Sequence, residues 1–191
     1  MRTKPVQSLT ILVFLLVAGV ASVAAQQQAA PPPSKFKLTS SAYAEGSLLP
    51  TQYTCADTNF VSPPLQWSNP PKDTASFAVI FHDTDAAPAK GTMDVTHWIF
   101  WNMPASSSQV PGGVKPDSSP DGIQQGKNAR GANGYQGPCP PPGANPHHYI
   151  FELYALDQKL DLTTGASRAD LLKAMDGHVI GKATYVGIFG R

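Results

Sequence analysis

Charge is scarce in this chain. Only 14% of its 191 residues are Asp, Glu, Lys or Arg, and the two signs nearly cancel, 14 basic against 13 acidic. A protein that grips nucleic acid presents a basic excess to neutralise phosphates, so no nucleic-acid partner is expected. Cysteine is just as sparse: Cys55 and Cys139 stand far apart, without the close spacing of a zinc knuckle or a thioredoxin-like redox pair. Helical periodicity is confined to one short segment, so no long helical pattern competes with the strands. No Ser or Cys lies in a nucleophile elbow or a catalytic-cysteine context, so no catalytic residue and no cofactor are expected, with a weak hydrolase left as the third reading after binding and protein interaction.

The N-terminus carries Arg2 and Lys4, then the apolar run Leu9 to Ala18, then small residues up to Ala25. This is the three-part pattern of a secretory signal peptide over residues 1–25. The apolar part is shorter than the roughly 20 residues that span a bilayer, so cleavage rather than a stable membrane span is expected. Cleavage removes two basic residues and no acidic ones, which leaves 12 basic against 13 acidic. The expected location is periplasmic or secreted, where Cys55 and Cys139 read as a disulfide, with two buried free thiols as the alternative. Residues 26–34, rich in Gln, Ala and Pro, read as an extended linker, and 35–191 as one domain.

Within that domain, Phe36 to Ala42 begins a strand pattern, and Ser62 to Trp67 gives a proline turn followed by a short strand, with Trp67 a core anchor. Ser76 to His82, His97 to Met103 and Tyr149 to Leu156 are continuous or nearly continuous apolar runs, expected as central strands covered on both faces. Ser167 to Met175 reads as a helix: Ser167 and Asp170 form a capping-box-like pair, Leu171, Leu172 and Met175 share a face, and Gly177 offers a stop. A final strand follows over Val179 to Phe189. The fold class is therefore mainly β, two packed antiparallel sheets with a short C-terminal helix. Pro104 to Pro146 has no confident element of its own. Its Ser106 to Gln125 part is expected as mobile surface, and its Cys139-pinned end as an ordered wall.

Polar residues cluster where these apolar runs meet Gly/Pro-rich loops. Asp83, His97, His147 and Tyr149 occupy such junctions, and with the Gly137 amide they supply directed hydrogen-bond donors for a small anion. Asp83 can orient a histidine or receive a ligand's ammonium group. His82 should face the opposite side of its strand and is set aside. Asp85 reads as a turn cap, and His178 as a partner of the helix C-terminus. His147 and His148 are strand neighbours that point apart, which leaves at most three convergent ligands with Asp83 and His97, so no metal is expected.

The blocks "YTCADTNFVSPPLQW", "HDTDAAP", "THWIFWNMPA" and "GYQGPCPPPG" followed by "HHYIFELYAL" occur in order. They resemble the phosphatidylethanolamine-binding proteins, in particular the bacterial Raf kinase inhibitor-like branch of the YbhB/YbcL type, across 35–191. The resemblance implies a two-sheet sandwich and an anion pocket at Asp83, His97, Gly137, Pro138, His147 and Tyr149. It implies a phosphate or phosphoethanolamine head group as ligand, with a protein-interaction or inhibitor role as the alternative. Thr84, Ala87, Thr96 and His148 depart from the family pattern and place this chain's individuality at the pocket rim.

Overall fold

A computed structural model describes residues 36–191 apart from Asp117. The signal-peptide and linker expectations lie outside the described residues. Strands β1 (Lys37–Thr39), β2 (Leu65–Ser68) and β5 (Gln109–Val110) form one antiparallel sheet in the order β1-β2-β5. Strands β3 (Ser76–Asp83), β4 (Val95–Pro104), β6 (Gln124–Gln125), β7 (His147–Leu156) and β8 (Val179–Phe189) form a second, in the order β6-β4-β3-β7-β8. Every pairing within the five-stranded sheet is antiparallel.

Why β3 reads as one unbroken apolar run is now visible. Phe77, Val79 and Phe81 face the smaller sheet, where they join Leu38, Leu65, Trp67 and Val110. Ala78 and Ile80 face the other way and pack with Leu171 and Met175 of helix α1 (Arg168–Met175). Both faces of the strand are buried, so no residue type need alternate with a polar one. Trp67 meets Phe77 edge-on, ring centroids 5.1 Å apart, as a core anchor should.

The helix carries the expected capping box. Ser167 Oγ accepts from the Asp170 amide while the Asp170 side chain accepts from the Ser167 amide, and Gly177 adopts φ 79° just past the end. One expectation about it fails. Leu171 and Met175 are buried, but Leu172 is 44% exposed, because one residue's advance rotates a side chain about 100° around the axis.

The expectation of mobile surface over Ser106 to Gln125 is also corrected. Val110, Val114 and Ile123 are buried in the inter-sheet core. Gln125 is buried too; its Oε1 accepts the Trp98 indole N–H at 2.8 Å, while its Nε2 donates to the Lys115 carbonyl at 2.8 Å and the Ser118 carbonyl at 2.9 Å. One glutamine thus fixes the loop to the sheet through a fully used amide.

Candidate functional site

The ends of β3, β4 and β7 meet at one edge of the large sheet, where Asp83 pairs in register with both Val95 and Tyr149. On β7, alternate residues Tyr149, Phe151 and Leu153 face the inter-sheet core, which puts His147 on the same side as Tyr149. His147 Nδ1 lies 2.8 Å from Asp83 Oδ2, and His148 turns outward to Asp85, 2.9 Å away. The neighbours point apart as their strand demands. The turn-capping role expected of Asp85 falls to Asp83, whose Oδ1 accepts the Asp85 and Ala86 amides, while the Asp85 carboxylate accepts the His148 backbone N–H.

His97 reaches the site by a different route. Counting back from Trp98, which faces the inter-sheet core, simple alternation would turn His97 to the other face of the sheet. A bulge intervenes: Phe81 pairs with Trp98 but His82 with Thr96, so His97 is the extra residue. Such bulges re-aim side chains. His97 accordingly packs edge-on against Tyr149, centroids 5.3 Å apart, and Phe81, 5.6 Å.

Hydrogen bonding then sets what each group can offer. Asp83 Oδ1 accepts from the amides of Asp85 and Ala86, Oδ2 faces His147, and the residue is 4% exposed. It is well built to orient His147. It is poorly built to receive a ligand's ammonium group, since its oxygens are already engaged and shielded, which corrects that expectation.

His97 Nδ1 lies 2.8 Å from the Gln136 carbonyl. A carbonyl only accepts, so Nδ1 carries the proton and Nε2 is the nitrogen left for a ligand. Burial lowers the His97 pKa, with the Gln136 hydrogen bond and the Asp83 charge opposing it incompletely. The ring is neutral at pH 7, so Nε2 presents a lone pair rather than the donor expected from sequence.

Tyr149 is fully buried beneath the two histidines. Its hydroxyl is shut from solvent beside the Asp83 carboxylate, which it meets at less than ideal hydrogen-bond geometry. Burial first, and then the Asp83 charge, hold the phenol far above its usual pKa, so it remains a protonated donor.

Gly137 and Pro138 are buried beside this cluster, linked through the neighbouring Gln136 amide, which donates to the His97 carbonyl at 2.8 Å. A Cβ on Gly137 would lie 3.1 Å from Phe60 and from the Thr54 backbone. The Pro138 carbonyl accepts the Cys55 amide, and a disulfide joins Cys55 to Cys139 across 84 positions, Cα atoms 5.4 Å apart. The wall is therefore tied covalently to the loop behind it. Replacing both cysteines by serine should cost about 2–5 kcal/mol of stability, measured by urea unfolding of the oxidised and the variant protein.

Three features of this site escape a reading of the sequence. Gln136 sets the His97 tautomer through its backbone, which no side-chain motif reports. Phe81 carries the rings of the site, stacking on Phe151 at 3.8 Å and on Tyr135 at 5.6 Å. Arg191 supplies a positive charge felt by Tyr149 while its Nε donates to the Pro140 carbonyl at 2.6 Å.

These elements define a class: a two-sheet antiparallel sandwich with a histidine, tyrosine and aspartate cluster at the strand ends. The chain belongs to the phosphatidylethanolamine-binding protein family, which it matches over residues 39–190. It is 45% identical over 158 residues to a UPF0098 protein of Methanothermobacter thermautotrophicus, spanning 82% of this chain and 99% of the relative. The crystal structure of Escherichia coli YbcL, described as a member of the mammalian PEBP family, superimposes with a TM-score of 0.75 at 32% identity, covering 82% of this chain and 99% of that one. A Mycobacterium tuberculosis protein named as lipoprotein LppC is 37% identical over 161 residues, covering 84% of this chain and 75% of its own.

Proposed function

We propose that this protein is an exported, non-catalytic binding module that holds a small anionic group, phosphate or a phosphoethanolamine head group, at Asp83, His97, Gly137, Pro138, His147 and Tyr149. The observation that carries this reading is the convergence of His97 and His147 on the Tyr149 ring, with each Nδ1 already engaged, by the Gln136 carbonyl and by Asp83, so that both Nε2 atoms are left for a ligand. Asp83 orients His147, and the two imidazole Nε2 atoms complete the ring of polar contacts.

Export agrees with the signal-peptide pattern of residues 1–25 and with the lipoprotein name of the LppC relative. No helix among the described residues is long and apolar enough to cross a membrane. The test is calorimetric titration of phosphate and O-phosphoethanolamine into the protein and into His147→Ala. Binding should weaken about tenfold or more in the variant, while stability falls by about 1–3 kcal/mol through loss of an Asp83 partner. Equal affinity of the two proteins would refute the assignment.

A further inference from the structure

A second cleft, of about 460 Å³, opens where the turn after β3 and the loop entering β4 face the first turn of α1. It is lined by Thr84, Thr92, Met93, Asp94, Thr96, Arg168, Ala169 and Leu172. Thr84 and Thr96 are the chain neighbours of Asp83 and His97, so the cleft and the anion pocket flank the same strand ends. The volume suits a small ligand.

Its polar side centres on Arg168. Asp94 Oδ1 accepts from Arg168 Nη1, and Asp94 Oδ2 lies 2.5 Å from His82 Nδ1. The carboxylate is thus shared between two partners, and burial, which would raise its pKa, is outweighed by the hydrogen bonds from Arg168 and His82. Arg168 Nε and His82 Nε2, the latter 3.6 Å from Glu152, are closed to solvent without a hydrogen-bond partner. The Arg168 side chain is 19% exposed, so the donors it can offer a ligand are those of its Nη atoms. A guanidinium carries five N–H donors, of which Asp94 takes one here. Thr92 and Thr96 make no side-chain hydrogen bond among the described residues, and their hydroxyls add donors on the same wall.

The other side is apolar. Met93 is 70% exposed and Leu172 44%, and both line the cleft. Leu172 lies off the buried face of α1, which leaves its side chain to the cleft. A concave surface lined by apolar side chains with a few polar groups is the usual make-up of a small-ligand site.

We propose that this cleft binds a small organic anion with an apolar body, of the medium-chain carboxylate class. The carboxylate would sit on the Arg168 guanidinium and the Thr92 and Thr96 hydroxyls, and the chain between Met93 and Leu172. One guanidinium shared with Asp94 suits a single negative charge better than the double charge of a phosphate dianion. The site is separate from the pocket at His147.

The probe is hexanoate, with hexanamide as its uncharged counterpart, titrated while the Met93 methyl resonance is followed by NMR. Saturable hexanoate binding that shifts this methyl is expected, with weaker hexanamide binding. Arg168→Gln should weaken hexanoate about tenfold or more, the loss of one charged hydrogen bond. Leu172→Ser changes an exposed position and leaves the Asp94 network intact, and it should weaken hexanoate as well, while His147→Ala should leave binding unchanged. The proposal is overturned if hexanoate does not saturate at tens of millimolar, if hexanamide binds equally well, or if binding survives both cleft variants. It is also overturned if binding is lost in His147→Ala, which would put the anion in the other pocket.

Discussion

Replacing Phe81 by alanine is expected to destabilise the protein by about 3–5 kcal/mol, the range for emptying a buried phenylalanine site. Phe81 is fully buried in the inter-sheet core and stacks on Phe151, with centroids 3.8 Å apart. It also meets His97 edge-on at 5.6 Å and lies 6.1 Å from Tyr149. Truncation therefore removes both a core side chain and the surface that holds two rings of the candidate site. Phe81→Leu, which keeps most of the volume, should cost less and preserve anion binding better. Urea unfolding and phosphate titration of both variants check this. A stable Phe81→Ala protein with unchanged anion affinity would show that the core does not position the site.

Sulfate affinity is expected to rise as pH falls, by up to about tenfold per pH unit for each proton taken up. The free His97 has a pKa below its ordinary 6.5 because it is buried. Its Nδ1 proton is spent on Gln136, so Nε2 must gain a proton before it can donate to an anion that carries none. A bound anion stabilises that protonated ring and raises its pKa. Between the higher bound value and the lower free value the complex holds more protons than the free protein, so binding tightens on acidification. Affinity is flat above the first and below the second. A phosphate ester in its singly protonated form brings its own hydrogen to Nε2 and should show a shallower slope.

The same shift affects the fold with the sign that linkage requires. A histidine whose folded pKa is lowered takes up its proton first in the unfolded chain. The stability that its neutral form permits is fully present above about 6.5 and is lost as pH falls toward the lowered folded value. Calorimetry with sulfate across this window, repeated on His97→Gln, separates the two effects. A flat sulfate profile in the unmodified protein would contradict the assignment of the tautomer.

Much of the sandwich is legible because its central strands are buried on both faces and so are written as unbroken apolar runs. The helix is legible because Ser167, Asp170 and Gly177 act locally. His147 and Asp83 are placed together correctly because two-residue alternation holds along β7 and β3. His97 is different: its inward aim depends on a bulge that alternation conceals, and its tautomer depends on a backbone carbonyl. The chemistry of the site is therefore less legible than its membership. The loop over Ser106 to Gln125 misleads for a related reason, since Val110, Val114 and Ile123 reach the core singly, without any period to betray them. The cleft at Arg168 joins residues more than 70 positions apart, and no local pattern announces it.

The most direct measurement is a nitrogen-15 NMR spectrum of the histidine side chains during phosphate titration of the protein at neutral pH, with His147→Ala as control. The account predicts that His97 begins as the neutral Nδ1–H form, that the Nε2 signals of His97 and His147 shift together and saturate, and that the His97 response is lost or greatly weakened in the control. An unshifted His97 at millimolar phosphate, or a response that persists in His147→Ala, would contradict the anion pocket itself.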